Sequence, residues 1–154
     1  MRDLRQALTN AEVYRAAAHS ALAKRLASRS IDSEQRAAHG FAWVATTVAA
    51  LRSTLDWLAA SEGVNPLDKK IATLAFAEGV AQLVGGLPMG QNEIFRPADL
   101  GLRAAARTLA DACAMLLDAD HVTTRAEVAA ALADGHWPSE TLYDAELDSI
   151  RKQY

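Results

Sequence analysis

The residues with the clearest potential for chemistry or binding lie in one stretch, AQLVGGLPMGQNEIFRPADLG, at residues 81–101. Its adjacent glycines, Gly85 and Gly86, allow a backbone with positive φ and the close approach of another group. Gln82 and Asn92 add hydrogen-bonding amides, and several apolar side chains follow the glycines. This composition is typical either of a plain connection between helices or of a surface that holds a partner.

Metal binding and self-contained catalysis have little support in the sequence. Bundles that bind metals through carboxylates carry Glu-x-x-His motifs, and this sequence has none. Glu78 and Glu93 flank the glycine stretch and are candidate carboxylate bases, but such residues more often lie on solvated helix faces or loops. The segment GGLPMG lacks the lysine of a nucleotide-binding P-loop. We therefore predict no catalytic residue and no metal site in this chain.

The composition favours a globular protein and argues against nucleic acid and membrane partners. The 154 residues are 51% hydrophobic and 23% charged, with a net charge of −3, and this length is typical of one domain. A negative chain has no general attraction to phosphate backbones. No segment reaches the length of a membrane helix, and the charged start is unlike a secretory signal. We expect a cytoplasmic protein in which Cys113 is buried and inert.

Helical patterns fill the chain on both sides of the glycine stretch. The apolar spacing predicts four main helices at residues 3–28, 33–60, 66–84 and 97–119, and no strand. The second is the most apolar, and Phe41 and Trp43 widen its apolar face, so we expect it to be the central helix. A short helix over residues 125–133 is expected to begin at a capping box formed by Thr124 and Glu127. The fold class is therefore predicted to be all-α, a bundle of four main helices plus short C-terminal helices.

Three segments resemble a known family. AHGFAWVATTVAALRSTLDWL, AFAEGVAQLVGGLPMGQNEIFRPADLG and DAELDSIRKQY are similar to the N-terminal extension of methylsuccinyl-CoA dehydrogenase-like, FAD-dependent acyl-CoA dehydrogenases. The likeness spans about residues 38–154 and is weak before them. It implies a helical domain at residues 1–137, followed at 138–154 by a linker and the start of the first helix of the catalytic core. The family's catalytic glutamate lies in that core, so no residue here inherits its role.

A second likeness lies within the first. The helix of residues 66–84 and the turn that follows it resemble the C-terminal helical domain of acyl-CoA dehydrogenases, where a Gln-x-x-Gly-Gly turn meets the FAD of a neighbouring subunit. Gln82, Gly85 and Gly86 match that turn and are the implied cofactor-binding residues. The sequence departs from the family pattern directly after them. The implied interface residues are Leu87, Met89, Ile94, Phe95 and Arg96.

The resemblance implies a non-catalytic accessory domain that packs on an acyl-CoA dehydrogenase core. It would stabilise the homodimer of the parent enzyme by imitating a dimer–dimer interface, and would touch FAD without binding it tightly. An alternative is a free-standing helical module that self-associates or binds a ligand. An independent enzyme is the least favoured interpretation.

Overall fold

A computed structural model describes residues 1–60 and 65–139 of the chain, and these residues form an all-α bundle. The predicted fold class is confirmed, and the bundle agrees with the expected likeness to the helical domain of acyl-CoA dehydrogenases. The expected further helix near the C-terminus lies outside the described residues, and the domain boundary at residue 137 stays a prediction. The helices are α1 (Arg2–Leu26), α2 (Gln35–Ala60), α3 (Pro66–Gly85), α4 (Arg103–Ala112), α5 (Ala114–Leu117) and α6 (His121–Ala133).

The first two helices pack along single apolar stripes. In α1 the predicted three- and four-residue spacing holds, and the residues on that stripe are buried. In α2 the buried residues also follow one stripe, from Ala37 to Leu58. Phe41 lies only partly buried beside the core, and Trp43 is 38% exposed. The prediction that α2 has a wider buried face is therefore wrong.

The central element of the bundle is α3. It contacts α1, α2, α4, α5 and α6, whereas the main helix contacts of α2 are with α1 and α3. Its start matches the sequence expectation, because Asn65 caps the helix by accepting a hydrogen bond from the Leu67 amide at 3.0 Å. Phe76 and Val80 are fully buried near its middle. A helix that is apolar on most sides is suited to this position.

The predicted fourth helix is broken into shorter elements. Pro97–Leu100 is a turn of 3-10 helix, and Gly101 ends it in the left-handed conformation with φ of 72°. The chain then forms α4, bends again at Cys113, and continues into α5. Cys113 is buried, as expected, and burial raises the pKa of its thiol. The expectation of one continuous helix was wrong, because the apolar spacing does not show that Gly101 adopts a left-handed conformation and interrupts the helix.

The short helix α6 begins earlier than its sequence predicted. Asp120 caps it by accepting a hydrogen bond from the Thr123 amide at 3.0 Å. The expected capping box is therefore wrong, and Glu127 instead pairs with Lys70 of α3 at 3.0 Å. No residue of α6 is fully buried, so this helix is a peripheral layer on α3.

Tyr14 is a buried residue whose ionisation should limit stability at high pH. It is 2% exposed, and its hydroxyl has no hydrogen-bond partner within the described part of the chain. Burial raises its pKa from the ordinary value of 10.0 to about 12. A folded-state pKa above the unfolded value means that the unfolded chain loses its proton first. The ionisation of Tyr14 therefore leaves the stability unchanged below pH 10 and lowers it as the pH rises towards 12.

We expect Tyr14→Phe to remove this pH dependence. Urea unfolding monitored by circular dichroism should show a smaller loss of stability between pH 10 and pH 12 for Tyr14→Phe than for the natural chain. At pH 7 the variant should be as stable or slightly more stable, because it removes a buried hydroxyl without a partner. Equal loss of stability in both proteins would contradict the assignment.

Candidate functional site

The glycine stretch folds into a small β-hairpin at the end of α3. Strand β1 (Leu87–Pro88) pairs antiparallel with β2 (Ile94–Phe95), and the Met89 amide donates to the Glu93 carbonyl at 2.8 Å. The prediction of no strand is thus wrong at this point. The stretch is a defined structure, not an extended connection between two helices.

Two of the expected interface residues hold the hairpin on the bundle. Leu87 is 2% exposed and Phe95 is 1% exposed, and both belong to the core of this chain. The ring of Phe95 lies directly over Gly40 of α2, where a Cβ atom would sit only 2.1 Å from the Phe95 Cδ2 atom. The side chains of Leu87 and Phe95 therefore pack inside this chain, and the part that the resemblance implies for them in an interface stays a prediction.

Arginines from the neighbouring helices fix the second half of the hairpin. Arg36 of α2 donates to Glu93 Oε1 at 2.7 Å and to the Ile94 carbonyl at 2.9 Å. Arg25 of α1 donates to the Asp99 carbonyl at 2.5 Å. Arg36 reaches the hairpin and Arg25 reaches the 3-10 turn after it, and because both come from helices distant in sequence, they set the orientation of this segment on the bundle.

Both candidate carboxylate bases are members of surface ion pairs. Glu93 pairs with Arg36, as described, and Glu78 pairs with Arg125 of α6. Their surroundings are those of solvated structural residues. In the described ranges, 1–60 and 65–139, no three His, Cys, Asp or Glu side chains are grouped so that they could hold a metal ion.

The three residues of the Gln-x-x-Gly-Gly turn have different roles in the structure. Gln82 and Gly85 are exposed, and apart from its chain neighbours and its own helix backbone, no described residue has an atom within 4 Å of the position of a Cβ on Gly85. Gly86 has φ of 143°, and a Cβ there would meet Ile94 Cγ2 at 2.8 Å. Gly86 is therefore required by the turn itself, whereas Gln82 and Gly85 form an open edge. Of the other expected interface residues, Ile94 is 40% exposed, Arg96 is exposed, and Met89 is partly buried against the core.

Beside this edge lies a groove of about 400 Å³ between the end of α3 and α4. Its lining includes Arg96, Arg103 and Arg107, and Gly85 forms part of its wall. Sequence reasoning missed the last two arginines. Their separation of four residues, with alanines at positions 106 and 110, was the available signal, because these spacings share one face of a helix.

Within the described residues, no helix combines the length and apolar character needed to cross a membrane. No known protein-family model matches the chain.

The chain is similar to (2S)-methylsuccinyl-CoA dehydrogenase from Cereibacter sphaeroides, with 32% identity over 161 aligned positions. The match covers 96% of this chain and 29% of that enzyme, so the chain spans less than a third of its relative. Coverage this complete includes most of the residues before Ala38, where the sequence indicated only a weak likeness. The chain is therefore a homologue of one part of methylsuccinyl-CoA dehydrogenase, as its sequence predicted.

Proposed function

We propose that the chain is a non-catalytic helical accessory domain of an FAD-dependent acyl-CoA dehydrogenase. In this proposal it packs on the catalytic core and stabilises the homodimer by taking the place of a dimer–dimer contact. The observation that carries the proposal is the open edge formed by Gln82 and Gly85 in a chain that matches part of such an enzyme. The acyl-CoA chemistry belongs to the core, and no residue of this chain acts on the substrate.

The open edge fits contact with a flavin that is bound by another domain. Gln82 has an exposed amide side chain, and the exposed Gly85 has no side chain to keep a flat ring from the backbone. These residues fit contact along one edge of the flavin and do not enclose it. Gly86 is required for the turn, and Leu87 is buried in the core. When bound to the core, FAD would supply the redox chemistry, and Gln82 and Gly85 would contact its rim.

Large apolar side chains outside the hairpin support a role in assembly. Met115 of α5 is 93% exposed, Val122 of α6 is 77% exposed, and Trp137 is 71% exposed. Covering apolar surface of this kind favours association by about 25 cal/mol per Å² removed from water. Because the helices are already formed, docking would require little further ordering.

The proposal is tested by assembly in trans. The Cereibacter sphaeroides enzyme is produced without the part that matches this chain, loaded with FAD, and mixed either with its own missing part or with this chain. We expect each addition to give a complex on size exclusion with light scattering, together with better retention of FAD. Gly85→Leu in this chain should weaken the complex, and Ala49→Leu, at an exposed position of α2, should not.

Two results would overturn the proposal. In the first, the shortened enzyme keeps the mass and FAD content of the complete enzyme without any addition. In the second, the enzyme's own missing part restores the complex and this chain does not.

A free-standing module is the alternative, favoured by a surface groove between α1 and α4 in which Val13 is 66% exposed. The same light-scattering run would then show self-association of the chain alone.

A further inference from the structure

We propose that the groove between the end of α3 and α4 is a binding site for the diphosphate group of a small-molecule ligand. The inference begins with three arginines that line one groove: Arg96 precedes the 3-10 turn, and Arg103 and Arg107 lie one turn apart on α4. It stands independently of the proposed docking on a catalytic core, because the chain itself supplies every residue of the groove.

The charges in this groove are not neutralised by the protein. Other arginines near the hairpin are paired, with Arg36 on Glu93 and Arg25 on Glu34. None of the three groove arginines forms an ion pair within 4.0 Å among the described residues. Three such cations in a chain of net charge −3 form a local positive site within a negative molecule.

The acidic residues nearest in sequence have other orientations or partners. Asp99 accepts from the Arg96 backbone amide at 2.9 Å and from Arg36 at 3.4 Å. Asp111 lies one turn beyond Arg107 on α4 but forms no ion pair with it. The groove cations are therefore available to an anion from outside.

The shape of the groove favours a small ligand over a single ion. Its volume of about 400 Å³ falls within the range of about 300–1,000 Å³ found for small-molecule sites. Its walls between the arginines are small or apolar, and include Ala106, Ala110 and Val84. A ligand that joins a diphosphate to a less polar group would match the arginines with its diphosphate and these small, apolar walls with its less polar group.

Guanidinium chemistry selects phosphate oxygens in particular. Arginine donates paired, charge-assisted hydrogen bonds to a phosphate, and its planar fork is suited to two oxygens at once. Two arginines four residues apart on one helix face are placed to hold neighbouring phosphates, and Arg96, which lies outside α4, adds a third cation to the same groove. FAD and coenzyme A both contain a diphosphate joined to adenosine. The site is therefore described by the diphosphate that the two molecules share, and the experiment distinguishes FAD from coenzyme A as its ligand.

The test uses the complete 154-residue chain and isothermal titration calorimetry at low salt. The probes are pyrophosphate, ADP, FAD and coenzyme A. We expect pyrophosphate and ADP to bind, binding to weaken as salt increases, and the tighter of FAD and coenzyme A to identify the source. Arg103→Ala and Arg107→Ala should each weaken ADP binding by about tenfold, which corresponds to about 1.4 kcal/mol, because each removes charge-assisted hydrogen bonds to phosphate.

The matched control is Arg5→Ala, which removes one exposed positive charge of α1 away from the groove. It should leave ADP binding unchanged, and circular dichroism should show that all three variants keep the helical fold. The proposal fails if neither pyrophosphate nor ADP binds at about millimolar concentration, a weak limit for specific ligands. It also fails if Arg5→Ala weakens ADP binding as much as Arg103→Ala does.

Discussion

Gly40→Ala is expected to lower the free energy of unfolding by about 2 kcal/mol, although alanine is the better residue for a helix. The new methyl group would lie 2.1 Å from Cδ2 of Phe95, far inside van der Waals contact. The Phe95 ring is 1% exposed and has no open space in which to move. For a chain of this length the change corresponds to a melting temperature lower by about 4–8 °C, measurable by thermal unfolding followed by circular dichroism.

A double-mutant comparison separates the clash from the helix preference. Phe95→Ala alone should cost about 3–5 kcal/mol, because it empties a fully buried position. In that background Gly40→Ala should become stabilising by about 1 kcal/mol, since its methyl group no longer meets the ring. Ala49→Gly, at an exposed site of α2, measures the helix preference without the clash. Stability of Gly40→Ala equal to or above that of the natural chain would contradict the packing of the hairpin on α2.

The parts of the fold that sequence reasoning predicted well depend on local patterns. The apolar spacing of α1 and the Asn65 cap of α3 are signals carried by neighbouring residues, and both are confirmed. The broken fourth helix shows where this reasoning stops. Gly101 can occupy a helix or end one, and only the packing of the surrounding elements selects its left-handed conformation.

The position of the candidate site along the sequence was predictable, but the contacts that shape it were not. The unusual composition of residues 81–101 identified the stretch that forms the hairpin and the open edge, because glycines and prolines interrupt helices. The contacts that shape it come from far away in sequence: Arg36 holds the strand at Ile94, and Gly40 makes room for Phe95. No pattern within the stretch indicates that its apolar residues serve the core of the same chain. The choice between burial and exposure was therefore open until the helices were placed.

The two glycines of the turn should respond in opposite directions to the same substitution. Gly86→Ala is expected to lower the free energy of unfolding by about 2–3 kcal/mol, because a residue with a Cβ rarely adopts a positive φ and such strain costs about 1–3 kcal/mol. The added methyl group would also meet Ile94 Cγ2 at 2.8 Å. Gly85→Ala should be neutral or stabilising by up to about 1 kcal/mol, since Gly85 ends α3 and its Cβ position is open. Urea unfolding of the two variants measures this contrast directly.

This pair also separates the fold of the turn from its proposed contact with flavin. Gly86 is accounted for by the geometry of this chain alone, so its match to the Gln-x-x-Gly-Gly pattern requires no cofactor. Gly85 has no comparable structural need, and in the proposed function its lack of a side chain leaves room for the close approach of another group. In the assembly experiment, Gly85→Ala should therefore reduce FAD retention without loss of stability, whereas Gly86→Ala should reduce both. If Gly85→Ala leaves the complex and its FAD content unchanged, the edge contact with flavin is wrong even where the docking itself holds.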